Sequence, residues 1–223
     1  MSVEAFGERI GHRFRDTGLL HCALTHRSHS AAHNERLEFL GDSVLNCAIA
    51  AELYRRFPQL AEGELSRLRA HLVSQPTLSA TARRLGVGDV LFLGEGELRS
   101  GGGQRPSILA DALEAVIGAV FLDGGYEAAS GVVRNILAEA LAQVDPGTTG
   151  KDPKTSLQEY LQARRISLPQ YTVVATHGMA HQQQFQVECV ISELDIRTLG
   201  EGASRRGAEQ IAARRAYERL TRE

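Results

Sequence analysis

Asn34-Glu35-Arg36-Leu37-Glu38-Phe39-Leu40-Gly41-Asp42-Ser43-Val44-Leu45 is the stretch that decides how this chain folds. Leu37, Leu40, Val44 and, further on, Ala48 recur at i, i+3, i+7 and i+11, the spacing of one apolar face on a helix. At about 100° per residue, Glu35, Glu38 and Asp42 fall within roughly 60° of one another and form an acidic stripe. Acids on a solvated helix usually find Lys or Arg at i+4. Glu38 and Asp42 have none at that spacing.

A second stretch, Ser107-Ile108-Leu109-Ala110-Asp111-Ala112-Leu113-Glu114-Ala115-Val116-Ile117-Gly118, repeats the oddity. Asp111 and Glu114 stand at i and i+3. They are the only charges in the apolar run from Ile108 to Leu122. A helix apolar nearly all round is a buried helix, and acids are rarely buried unless paired or bound to metal. If the two helices meet, like charges about 4 Å apart repel by roughly 4 kcal/mol at an effective dielectric near 20. Raised pKa values would relieve this, and so would a cation. An all-oxygen carboxylate cluster suits Mg²⁺, or Mn²⁺ in its place, and can hold one ion or two. The alternative is that arginines such as Arg27 or Arg36 pair with these acids.

Outward from these segments the first two thirds reads as helix throughout. Leu65–Leu72, Pro76–Leu85 and Ala128–Val144 carry helical periodicity, and no alternating strand stands out. Asp145-Pro146-Gly147-Thr148-Thr149-Gly150 then gathers Pro, Gly and small polar residues, as a linker does. Beyond it the pattern changes. Thr155–Ala163 reads as a helix with Leu157, Tyr160 and Leu161 inward. Tyr171, Val173 and Ala175 alternate, as do Phe185, Val187, Cys189 and Ile191, and a third short strand is expected near Leu194–Leu199. A last helix runs from Arg205 to Leu220 with Ala208, Ile211, Ala212 and Ala216 inward. The fold class is therefore two domains: an N-terminal all-α domain and a C-terminal α+β domain in the order α-β-β-β-α. The net charge of −2 divides unevenly. Residues 1–146 hold 14 Lys/Arg against 18 Asp/Glu, and residues 147–223 hold 11 against 9. A mildly basic tail on an acidic body is what a nucleic-acid module joined to another domain would show.

Several function classes are set aside. The 15-residue apolar run carries two acids and is too short for a membrane span. Met1–Phe14 has no apolar core of the kind a secretory leader needs. Cys22, Cys47 and Cys189 are odd in number and scattered, which suits a reducing cytoplasm. His21, His26, His29 and His33 do not have the spacing of a zinc site. The Gly-rich stretch Leu93–Pro106 lacks a following GK[ST], so no nucleotide cofactor is expected. Tyr160 and Tyr171 read as core rather than as stacking platforms.

The segment NERLEFLGDSVL, residues 34–45, resembles the signature motif of ribonuclease III. SILADALEAVIGAVFLDGG, residues 107–125, is similar to that family's second motif, and LTHRS, residues 24–28, also matches. The resemblance implies a catalytic domain over residues 1–145, a linker over 146–151 and a double-stranded RNA-binding domain over 152–221. It implies that Glu38, Asp111 and Glu114 ligate Mg²⁺, that Asp42 and Glu114 are closest to the chemistry, and that Glu35 is an accessory acid. Phe39 lies roughly opposite Leu37, Val44 and Ala48. In similar enzymes the aromatic at this position plugs a socket in the second subunit of a homodimer, while a second layer of its own core is the plainer alternative. The implied reaction is hydrolysis of double-stranded RNA to 5′-phosphate and 3′-hydroxyl ends with short 3′ overhangs, in the processing of ribosomal and other structured precursors.

In the RNA-binding domain three places would meet the duplex. Thr155, Gln158 and Gln162 share a polar face suited to 2′-hydroxyls in the shallow minor groove. Gly178-Met179-Ala180-His181 lies between strands, with Met179 where the family usually has proline and His181 at its matching position. Ser204-Arg205-Arg206-Gly207 opens the last helix. Ser204 is a good N-cap. Arg205 and Arg206 stand where the macrodipole disfavours cations, a conflict a phosphate would resolve. The rivals are a catalytically idle double-stranded RNA-binding regulator and a purely structural dimer. Four acids in place argue against both.

Overall fold

The computed structural model describes residues 2–147, 152–177 and 183–221. The chain divides into two units, Met1–Thr149 and Gly150–Glu223.

The first unit is helical: α1 Val3–Ile10, α2 Thr17–Ala23, α3 Glu35–Arg56, α4 Glu62–Leu72, α5 Gln75–Leu85, α6 Glu95–Arg99, α7 Pro106–Ile136 and α8 Ala138–Ala142. Its centre is the pair α3 and α7. Leu37, Val44, Leu45, Ala48 and Ile49 of α3 pack into one core with Leu109, Leu113, Val116, Ile117 and Val120 of α7. The two helices touch backbone to backbone. A Cβ placed on Gly41 would lie 1.8 Å from the carbonyl oxygen of Glu114, and one on Gly118 would lie 2.3 Å from that of Leu37. Glycine inside a helix costs about 1 kcal/mol relative to alanine. Here it permits a crossing that no other residue allows.

The expected break between Leu122 and Ala128 is a sharp turn at Gly125, whose φ of 78° and ψ of −176° interrupt α7. The expected helix Ala128–Val144 is divided at Leu137, with α8 short beyond it. Helices α1 and α2 were not expected, nor was the lone parallel bridge from Thr25 to Phe92.

The second unit runs α9 Pro153–Ala163, β1 Gln170–His177, β2 Gln184–Ile191, β3 Ile196–Gly202 and α10 Arg205–Thr221. The strands form one antiparallel sheet in the order β1-β2-β3. Leu157, Leu161, Cys189, Ile191, Ala212, Ala213 and Ala216 make its core, with Tyr160 and Tyr171 packed against it. Two details depart from the expected pattern. The β1–β2 register shifts between Val173 and Ala175, and Val173 and Val174 stand exposed on this edge strand. On α10, Ala213 is fully buried and Ile211 only half-buried, because the small alanines let the helix sit close on the sheet. The linker expected over 146–151 is described only at Pro146 and Gly147, where Gly147 N donates to Asp145 Oδ1 at 2.8 Å.

Candidate active site and RNA-facing surface

The glycine contact between α3 and α7 sets the spacing of the acids. Glu38 lies one turn before Gly41, and Glu114 supplies the carbonyl that Gly41 touches. As a result carboxylate oxygens of Glu38, Asp111 and Glu114 all lie within 4.8 Å of one another, each side chain half-buried. Burial raises the Glu38 carboxyl above its usual range, and Asp111, Glu35 and Asp42 add repulsion. Burial also raises Asp111. Glu114 is pushed up to about 8, first by burial and then by the charges of Asp42, Asp111 and Glu38. Three oxygen ligands at this separation fit a hard divalent cation.

Asp42 and Glu35 sit outside this triad. Asp42 is exposed at the rim and accepts from Asn46 Nδ2 at 2.9 Å, while its charge still reaches Glu114. Glu35 pairs with Arg27 at 3.2 Å and faces His33 at 3.8 Å. The pairing alternative therefore holds for Glu35 and fails for the triad, since no arginine bond reaches Glu38, Asp111 or Glu114 among the described residues.

The LTHRS segment frames the mouth of the site. His26 N donates to Phe92 O at 3.0 Å, and Gly94 N donates to Ser28 Oγ at 2.9 Å. This holds His26, Arg27 and Ser28 along a groove shared with Glu38, Arg105 and Asp111. Buried Asn34 steadies the start of α3 through Nδ2 to Ala23 O at 3.3 Å. At the far end, Asp123 accepts from the backbone of Asp16 at 2.9 Å and Arg15 at 3.1 Å and meets His12 Nε2 at 2.8 Å, while the Arg15 guanidinium donates to its carbonyl. Sequence reasoning missed Gly41, Gly118 and Asn34 as determinants of the site. The signal available was two glycines inside helices, each within four residues of an acid.

Phe39 is 79% exposed and Tyr54, on the same helix, 74%. Phe39 is thus not a second layer of its own core.

In the second unit, Thr155, Gln158, Arg205 and Arg206 border one depression together with Asp152 and Lys154. Ser204 caps α10 by accepting from Gly207 N at 3.1 Å. Asp152 caps α9 by accepting from Lys154 N at 2.9 Å. His181 and Met179 lie outside the described residues.

Residues 16–141 match the family described as Ribonuclease-III-like, and residues 153–220 match the double-stranded RNA binding motif. The chain belongs to the ribonuclease III family. Ribonuclease 3 of Ralstonia nicotianae is 62% identical over 222 residues, covering 100% of this chain and 87% of the relative. Ribonuclease 3 of Cupriavidus taiwanensis is 60% identical over 220 residues, covering 99% of this chain and 86% of that protein. Among solved structures, the nuclease domain of ribonuclease III from Campylobacter jejuni is 40% identical with a TM-score of 0.61, covering 64% of this chain and 97% of that one. Another structure of that Campylobacter domain, with a TM-score of 0.60, 40% identity and 61% and 96% coverage, is described as flexible in a region involved in dimer formation. As a ribonuclease III, the chain is a double-strand-specific endoribonuclease with a helical nuclease domain and an α-β-β-β-α RNA-binding domain.

Proposed function

We propose that this ribonuclease III hydrolyses double-stranded RNA at the acid cluster with Mg²⁺, for which Mn²⁺ can substitute, leaving 5′-phosphate and 3′-hydroxyl ends with short 3′ overhangs. One observation carries the proposal: the oxygens of Glu38, Asp111 and Glu114 converge within 4.8 Å at the contact of two apolar helices. These three residues hold the ion. When bound, a divalent cation there supplies charge to the phosphoryl oxygens and lowers the pKa of water. Glu114 gives up the proton it keeps near neutral pH, since its carboxyl then faces a positive partner. Asp42, exposed at the rim, accepts a proton from the attacking water or delivers one to the leaving oxygen. Glu35 fixes Arg27 at the groove mouth, so this accessory acid places a cation beside the RNA backbone.

The domain division proposed is catalytic residues 1–145, linker 146–151 and RNA-binding residues 152–221. Gln158, His181, Ser204, Arg205 and Arg206 contact the duplex, by shape and phosphate rather than by sequence. Two chains pair with C2 symmetry through the α3 face that carries Phe39, so that each site meets one strand. Exposed Phe39 supports this, as does the dimer-forming region of the Campylobacter nuclease domain. The cellular work proposed is processing of ribosomal and other structured RNA precursors in the cytoplasm. No helix among the described residues is long and apolar enough to cross a membrane.

The test is incubation of the pure protein with long duplex RNA, with Mg²⁺ and with EDTA. Duplex-specific cleavage that needs the metal is expected. Intact RNA in both, with the RNA bound, would establish the idle RNA-binding regulator instead.

A further inference from the structure

An acid sits in the middle of the surface that should meet a polyanion. Glu209, on the second turn of α10, has a side chain only 13% exposed and uses its two oxygens on two different cations. Oε2 accepts from Lys154 Nζ at 2.7 Å, and Oε1 accepts from Arg205 Nε at 2.9 Å. Lys154 comes from α9 and Arg205 from the start of α10, so one carboxylate joins the two helices that border the depression. Lys154 is held from a second side, with Nζ 4.4 Å from the centroid of the Tyr171 ring. Arg205 engages Glu209 through Nε alone, and among the described residues no bond occupies its two terminal amino groups, which are left for a ligand. Burial alone would raise the Glu209 carboxyl. It is instead lowered, chiefly by the bond from Lys154, so the acid stays charged.

We propose that Glu209 is a positioning residue for duplex RNA: it fixes Lys154 and Arg205 in the places where they meet consecutive backbone phosphates. This rests on the reading that the Gln158–Arg205–Arg206 surface binds the duplex. Coulomb's law says that an acid on this surface repels RNA and that removing it tightens binding. Yet Lys and Arg are among the side chains that lose most rotamer freedom on ordering. A largely buried carboxylate that gathers them beforehand removes that cost from the binding step. The repulsion is small because each oxygen already faces a cation.

The experiment measures binding of the full chain in EDTA to a duplex RNA of about 20 base pairs, longer than the roughly 16 that such a module spans. Glu209→Gln keeps shape and removes charge. It is expected to raise Kd about three- to tenfold, with Glu209→Asp recovering part of the loss. In a Lys154→Ala, Arg205→Ala background the sign reverses, because only repulsion is left to remove, and Glu209→Gln tightens binding there. A merely structural role gives weakening in both backgrounds together with a lowered melting temperature, and overturns the proposal. So does tighter binding by Glu209→Gln in the otherwise native chain. Arg205→Ala with Arg206→Ala tests the surface itself. If that pair loses affinity while Glu209→Gln does not, the surface stands and the positioning role falls. If neither changes affinity, the RNA-facing assignment falls first.

Discussion

Glu114 is the residue whose environment asks most of it. Its carboxyl is about 8 in the folded chain against 4.5 in a free one, so the fold binds a proton that the unfolded chain releases. For a raised acid the sign follows directly: without metal, this group's contribution to stability declines as pH rises from about 4.5 to about 8. Thermal melts in EDTA across that window should show the decline, and Glu114→Gln should flatten it. At pH 8 the Gln variant should melt higher than the native apo chain, by about 2–4 °C for each kcal/mol of repulsion relieved. A drop of several degrees would contradict the clustered-acid picture. The same variant should lose cleavage by a factor of at least about 10² while keeping duplex affinity. Calorimetry in two buffers of different ionisation enthalpy should also register proton release when Mg²⁺ binds at pH 7, and Glu114→Gln should abolish it.

Between elements, the α3–α7 crossing decides whether the acids can cooperate. Gly41→Ala would put a methyl group 1.8 Å from a backbone oxygen, and no side-chain motion relieves that clash. The helices must separate, at a cost of about 1–3 kcal/mol or more. Mg²⁺ affinity should fall with stability, read by calorimetry and by melting. The sequence disclosed both helices and their acids, because apolar periodicity and unpaired charge are local signals. It did not disclose how close the helices come. That depends on two glycines 77 positions apart, which as single letters look like weak points. The short N-terminal helices escaped for a different reason: seven or eight residues give too few turns for periodicity to register. On β1 the alternation of Tyr171, Val173 and Ala175 was real in the sequence and pairs in step as far as Val173 with Val187, but the register shift beyond it sets Ala175 opposite Gln186. Acid identity was legible from local charge, and the division of labour came with the family resemblance, but the acidic stripe alone does not separate Glu35 from Glu38. Glu35, in the same stripe as Glu38, is drawn off by Arg27, a partner from a separate loop.

At the level of the whole molecule, two units of opposite charge balance share one substrate. Deleting residues 147–223 should weaken duplex binding and make the dependence of log affinity on log salt shallower, by about 0.9 for each phosphate that the tail neutralises. An unchanged slope would contradict the assignment of the basic tail to RNA. Phe39→Ala should shift the chain toward monomer in sedimentation, since a large exposed aromatic is the kind of anchor that carries interface energy. If sedimentation is unchanged, pairing runs through another surface.

Because main-chain atoms meet where α3 crosses α7 and set how near the two helices come, the gap between the acids behaves like a machined spacer. Exchanging the surrounding leucines for other apolar residues of similar volume would change how firmly the body holds together without altering that gap. Tolerance to heat and catalytic rate should therefore be separable in this protein, and a sturdier version could be made by refilling the surrounding core with Gly41 and Gly118 left alone.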